Sequence, residues 1–209
     1  MAAVIPQYEQ LNVTSFVGTK CKSLNLNGNR IKIDLTELVA LEEVRLTGMD
    51  NSVNPLLDYT TLVNLKSLSI SGYEGAGTGT FTLPPAIISN LEKFYMEAVN
   101  SSSNTINISS IPLSANIKEF YIDNLQGYSG ISLQSVIVLP PTMANCYKFI
   151  ATSNDLDQTN VDNILLALDA NGLTQGICRL DGGLNSPPSI AGAAAAANLT
   201  SKGWEVSTM

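Results

Sequence analysis

Residues 64–71 read NLKSLSIS, in which Leu65, Leu68 and Ile70 are apolar and Ser67, Ser69 and Ser71 are polar. From Ser67 onward the two classes alternate, the period of a strand with one buried face, and Leu65 stands ahead of it as an anchor. The unit returns as CKSLNLN at 21–27, LEEVRLT at 41–47, LEKFYME at 91–97, IKEFYID at 117–123, CYKFIAT at 146–152 and, shortened, ICRLD at 177–181. Aligned on the second anchor, these units put Leu24, Val44, Leu68, Phe94, Phe120, Phe149 and Cys178 in one column, at intervals of 20, 24, 26, 26, 29 and 29 residues. One strand per turn of chain predicts a solenoid with a parallel sheet of about seven strands.

No turn of that kind folds by itself. It buries about two strand side chains worth ~1.5–3 kcal/mol each, against roughly 1–2 kcal/mol for ordering each of some two dozen backbone residues. Stacking is what supplies the difference, by pairing strands laterally and extending one inner column through Leu26, Leu46, Ile70, Met96, Ile122, Ala151 and Leu180. The L-x-x-L-x-L order with a period in the twenties resembles leucine-rich repeats, which implies an irregular α/β solenoid of that class. The asparagine expected one turn on is present as Asn29 and Asn154.

Between the units the chain has a second, weaker pattern. RIKIDL at 30–35, TFTLPP at 80–85, TINISSIP at 105–112 and GISLQSVIVLPP at 130–141 alternate in the same way, and Pro84, Pro85, Pro112, Pro140 and Pro141 end them. These runs predict a short second sheet on the return side. GYEGAGTGT at 72–80 and NSSSN at 100–104 read as loops, since GAGTG lacks the strand-to-helix context and the lysine of a phosphate cradle. Three segments of one continuous domain follow: residues 1–20 as an N-terminal arm or cap, 21–154 as solenoid turns, and 155–209 as helix-containing turns and cap.

The last segment changes style. DLDQTNVDNILLALDAN at 155–171 carries Val161, Ile164, Leu165 and Leu168 at helical spacing, with Thr159 and Asp162 placed as a capping pair and Gly172 as the stop. Asp155, Asp157 and Asp162 lack the ligand order of a calcium loop and read as helix-capping residues. Pro187 and Pro188 then open a second helix with Ala191–Leu199 as its body; Gly203 ends it before the short strand WEVS, where Trp204 shields the last core layer.

Composition narrows the chemistry. The 209 residues contain no histidine, which removes Ser-His-Asp and Cys-His nucleophilic sites and most catalytic zinc geometries. No catalytic residue, metal site or cofactor is expected. Cys21, Cys146 and Cys178 stand where other turns carry large hydrophobes and read as small buried apolar groups. A net charge of −7 with 14% charged residues argues against nucleic acid as a partner. The opening MAAVIPQYEQ has neither a cationic start nor a long apolar run, so no secretory signal is expected, and IAGAAAAANL is too short to span a membrane.

The stretch from Phe149 to Val206 resembles a module of tailed-phage virion proteins and some bacterial surface proteins. Its parts stand in order: N-x-L at Asn154–Leu156, V-D-x-I-L-x-x-L-x-x-N-G at Val161–Gly172, L-x-G-G-x-N-x-P at Leu180–Pro187, where Arg179 and Asp181 replace more neutral strand residues, and G-W-x-V at Gly203–Val206. The resemblance implies a non-enzymatic bacteriophage structural protein, decorating a capsid or associated with a tail or fibre and assembled in the host cytoplasm. Its implied partners are other virion proteins, a further copy of itself, or a host receptor or glycan.

Residues between the inward anchors form the outer face of the sheet. Their middle row reads Asn25, Arg45, Ser69, Tyr95, Tyr121, Ile150, Arg179. Tyr95, Tyr121 and Ile150 form an expected exposed apolar patch, rimmed by Lys93, Glu97, Glu119, Asp123 and Lys148. Receptor or carbohydrate recognition, a subunit contact, and an N-terminal arm laid over the sheet are all open uses of it. Glu97, Glu119 and Asp123 lie among lysines, unlike the clustered carboxylates of a glycan-cleaving groove.

Overall fold

A computed structural model describes residues 21–27, 38–48, 61–71, 79–81, 90–97, 106–108, 111–112, 116–123, 137–139, 143–154, 156–182 and 185–209. Twelve strands and two helices fall within them: β1 (Ser23–Asn27), β2 (Glu43–Thr47), β3 (Ser67–Ser71), β4 (Gly79–Phe81), β5 (Lys93–Glu97), β6 (Ile106–Ile108), β7 (Ile111–Pro112), β8 (Glu119–Asp123), β9 (Ile137–Val138), β10 (Lys148–Thr152), α1 (Gln158–Asp169), β11 (Ile177–Arg179), α2 (Ile190–Ser201) and β12 (Glu205–Ser207). The expected N-terminal cover over 1–20, the runs at 30–35, 72–78 and 100–104, and Asn29 and Asp155 lie outside the described residues.

The fold is α/β, built on one parallel sheet in the order β1-β2-β3-β5-β8-β10-β11-β12. The alignment on the second anchor is the register of the sheet: Leu24 faces Val44, Val44 faces Leu68, Leu68 faces Phe94, Phe94 faces Phe120, Phe120 faces Phe149, and Phe149 faces Cys178. The sheet has eight strands where about seven were expected. The additional one is the terminal WEVS: after α2, Gly203 takes φ +84°, and the chain re-enters the sheet with Val206 beside Cys178. A further strand there satisfies the edge of β11, which would otherwise present unpaired backbone groups.

A recurring hydrogen bond joins each unit to the one before it. The Lys22 carbonyl accepts from the Glu42 and Glu43 amides, the Glu42 carbonyl from Lys66 and Ser67, the Lys66 carbonyl from Glu92 and Lys93, and the Glu92 carbonyl from Lys118 and Glu119. Ahead of three strands a tight turn closes between two anchors, Leu41 N to Leu38 O, Leu65 N to Leu62 O and Cys146 N to Met143 O, each at 3.0 Å. Leu38, Leu62 and Met143 are therefore an additional inward position, and all are buried.

The inner face forms one core cluster from Leu38 through Leu68, Phe94 and Phe120 to Trp204. Within it the rings of Phe94 and Phe120 stack with centroids 5.7 Å apart, and Phe120 and Phe149 meet at 4.8 Å. Cys146 and Cys178 are fully buried among these residues and Cys21 is half-buried at the β1 end. Among the described residues the return-side runs form two parallel pairs, β4 with β6 and β7 with β9.

Both helices are as expected in body and differ at their starts. Asp157, not the Thr159/Asp162 pair, caps α1: its Oδ1 accepts from the Asn160 amide at 2.8 Å, because it stands one residue before the first helical turn in extended backbone. Asp162 instead accepts from the Ser189 amide at 2.9 Å, tying the second helix to the first. Helix α2 starts at Ile190, after the two prolines, with Ser189 as its cap. Gly192 lets the helices approach, since a Cβ there would lie 2.0 Å from Asp162 Oδ1. Trp204 is buried over Gly176 and donates from Nε1 to Leu173 O at 3.0 Å.

Two buried asparagines join the C-terminal turn to the sheet. Asn185 Oδ1 accepts from the Asn154 and Leu156 amides, and its Nδ2 donates to Ala151 O and Leu180 O, both at 2.8 Å. Asn154 Nδ2 in turn donates to Ile122 O at 2.9 Å. These bonds satisfy backbone groups of three neighbouring segments in the interior, where water cannot.

Candidate functional site

The sheet's period of two sends alternate residues of β5, β8 and β10 outward, and its register sets them in rows. Lys93, Glu119 and Lys148 share one row; Tyr95, Tyr121 and Ile150 share the next; Glu97, Asp123 and Thr152 share the third. All six residues singled out from the sequence are thereby brought to one surface. Ile150 differs from expectation in one respect: it is 8% exposed, with Tyr121 and Arg179 as its neighbours in the row, so it does not add to the exposed apolar area.

Tyr95 and Tyr121 are half-buried and stack with ring centroids 4.3 Å apart and planes 10° from parallel. Their hydroxyls are held at the far end, Tyr95 donating to Glu97 and Tyr121 to Asp123 Oδ2 at 3.2 Å, while the Thr152 hydroxyl also donates to Asp123. Burial, together with these carboxylates, raises the pKa of both phenols. Both phenols therefore stay neutral at ordinary pH and present ring surface on the outer face.

The charged row is also interlocked. Glu119 Oε1 lies 2.6 Å from Lys93 Nζ and accepts from the Tyr147 hydroxyl at 2.6 Å. Burial pulls the Glu119 carboxyl upward, but the bonds from Lys93 and Tyr147 outweigh it and leave the group below the ordinary carboxylate range. Tyr147 was not singled out by its sequence pattern, because it precedes β10 at a position occupied by lysine or glutamate in the turns before it.

Beside the tyrosine pair lies a depression of about 280 Å³ lined by Arg45, Ser67, Ser69, Lys93, Tyr95, Glu119, Tyr121 and Lys148 among others. Within its lining the middle row carries a short side chain, Ser69, between Arg45 and Tyr95. Arg45 and Ser69 were visible in the row read from the sequence; their joint effect, a slot, was not.

A second surface runs along the edge where the strands begin. Lys22, Glu42, Lys66, Glu92 and Lys118 alternate in sign there, with Glu42 bridging Lys22 at 2.6 Å and Lys66 at 2.8 Å, and Lys118 reaching Glu92 at 2.8 Å. Hydrogen bonds from both lysines hold the Glu42 carboxyl at about 2. Such exposed pairs add little stability; opposite charges in adjacent turns favour this register over a slipped one. Next to them Asn64 donates to Val39 O at 3.0 Å and Asn90 to Val63 O at 2.8 Å, and with Asn116 and Asn145 they line a shallow polar cleft. The signal was in the sequence, since each of these asparagines directly precedes the leading anchor of its unit.

Cys146 and Cys178 are removed from chemistry by burial, which raises both thiols, Cys146 to about 12. Among the described residues no group of three or more His, Cys, Asp and Glu side chains could hold a metal ion, and no helix is long and apolar enough to cross a membrane. The outer face presents ring surface and charge. No protein-family model, curated protein or solved structure matches the chain.

Proposed function

We propose that the chain is a non-enzymatic structural protein that works through protein–protein contacts, on the outer face of a leucine-rich-repeat-like solenoid. The observation that carries this reading is the fixed Tyr95–Tyr121 pair, half-buried on an otherwise polar sheet and held by Glu97 and Asp123. Rigid aromatic side chains lose little freedom on association and recur at the centres of protein interfaces. The solenoid reading is supported by neighbouring strands 20–29 residues apart that pair in parallel on one core.

On the resemblance of the Phe149–Val206 stretch, the proposed setting of this contact is a tailed-phage particle, with the chain as a capsid-decorating, tail- or fibre-associated component. Mass spectrometry of purified particles is expected to find the protein at a fixed copy number, and Tyr95→Ala with Tyr121→Ala to strip it from them. Particles without the protein would end the virion assignment.

A second reading uses the same strip for a host receptor or surface glycan, favoured by the combination of phenol rings with Arg45, Lys93 and Lys148 around the depression. Cell- or glycan-binding that is lost in the two tyrosine variants would select it.

A further inference from the structure

The middle outer row holds an interrupted stack. From β2 to β8 it runs Arg45, Ser69, Tyr95, Tyr121, in register on adjacent strands. One face of the Tyr95 ring is covered by Tyr121, with the planes nearly parallel. The opposite face is directed along the row toward Ser69, whose short side chain leaves it uncovered. Arg45 stands on the far side of Ser69, two strand spacings or roughly 10 Å from the Tyr95 row. A single planar ring needs about 3.5–4 Å of contact on each side. The space above Ser69 therefore has the width for one flat ring between a guanidinium and a phenol.

Charge narrows the occupant further. The cations lining this depression are Arg45, Lys93 and Lys148, against the single carboxylate of Glu119. Glu119 is already paired with Lys93 and bonded by Tyr147, and Lys148 beside it adds to the field on its carboxylate. The lining of the depression is thus net positive, with the carboxylates of Glu43, Glu97 and Asp123 on the flanking rows, the last two engaged by the tyrosine hydroxyls. A partner segment that presents an aromatic side chain next to a carboxylate satisfies both features. Its ring continues the stack and its carboxylate meets Arg45 or Lys148.

Resting on the contact role given above for Tyr95 and Tyr121, we propose that the Ser69 slot receives one aromatic side chain of a partner protein, sandwiched between Arg45 and Tyr95, with an adjacent partner carboxylate on the cationic rim. A puckered sugar ring is thicker than an arene and gains less between two flat groups, so a glycan is the weaker fit for this slot.

The test uses the full chain, isotope-labelled, titrated with three probes while amide shifts are followed: 4-hydroxyphenylacetate, cyclohexylacetate and glucuronate. The expected result is saturable shifts at Ser67, Ser69 and Tyr95 with the first probe, and markedly weaker binding of the other two. Ser69→Phe, which fills the slot from within on an outward position, should abolish the shifts. Arg45→Gln should weaken binding about two- to fivefold, the worth of an exposed cation–π contact. Shifts of equal strength with cyclohexylacetate, or stronger ones with glucuronate, would overturn the proposal, the latter in favour of a glycan site. Absence of any shift at these amides would also overturn it. If the slot fails in this way while Tyr95→Ala and Tyr121→Ala still release the protein from its particle, only the slot is lost; if those variants have no effect, the broader contact role falls as well.

Discussion

Tyr95 and Tyr121, 26 residues apart in the chain, stack on the outer face directly above Phe94 and Phe120, their chain neighbours, which stack on the inner face. The two pairs grip β5 and β8 from both sides but differ in burial. Phe120→Ala removes a fully buried ring and should cost about 3–5 kcal/mol. Tyr121→Ala gives up a half-buried ring and its stacking, worth about 0.5–1.5 kcal/mol beyond area. Urea unfolding should show Phe120→Ala as clearly the more destabilising of the two; equal losses would mean that the inner and outer rows do not differ in burial as described.

Asn185 makes four hydrogen bonds in a site 3% exposed. Asn185→Ala strands two amides and two carbonyls, each costing about 1–3 kcal/mol when buried and unpaired. Relaxation and water entry reduce the sum, so a loss of about 3 kcal/mol or more is expected. Hydrogen exchange should show it locally, as faster exchange at the Asn154 and Leu156 amides. A variant as stable as the parent would remove Asn185 from this role.

Gly176 and Gly172 make a matched comparison. A Cβ at Gly176 would lie 2.6 Å from the Trp204 ring, whereas one at Gly172 meets nothing within 4 Å but stands at φ +74°. Gly176→Ala must displace a buried indole and should cost about 1–3 kcal/mol, with altered tryptophan fluorescence from the chain's one tryptophan. Gly172→Asn, with a side chain that tolerates the left-handed region, should cost well under 1 kcal/mol. The reverse order would contradict the placement of Trp204.

The tyrosine pair also sets an alkaline response. Burial first, and then the neighbouring carboxylates, raise the phenol pKa values of Tyr95 and Tyr121 on folding. A group raised in this way contributes stability that is whole below its unfolded value of about 10 and is lost as pH climbs through the folded value. Stability should therefore decline above about pH 10, and phenolate absorbance should show a late component that Tyr95→Phe reduces. A single transition at the ordinary tyrosine value in the folded protein would contradict the buried pair.

Much of this sheet was legible because alternation in units such as SLSIS and KFYME fixes both the face and, once the anchors are aligned, the register. The anchors at Leu38, Leu62 and Met143 were hidden, since each belongs to a turn whose upstream sequence varies. Asp155, Asp157 and Asp162 all read as capping residues beside Thr159, and that Asp157 is the one that caps α1 was not legible, because helix ends are set by backbone geometry that spacing alone leaves free by a few residues. Ile150 reads as exposed in any strict alternation, yet it is buried at 8% exposure between two large neighbours in its row, which alternation by itself does not reveal. The Ser69 slot is a property of three strands together, absent from any one of them.

The continuous parallel stack is most directly tested by the distance between spin labels at Asn25 on β1 and Arg179 on β11, in a background lacking the native cysteines. These positions lie in one outer row, six strand steps apart in the sheet order. At about 4.8 Å per step the stack gives a single narrow distribution near 29 Å. A distance below about 20 Å, or several separate populations, would mean that the strands do not form one sheet at the spacing of adjacent β-strands.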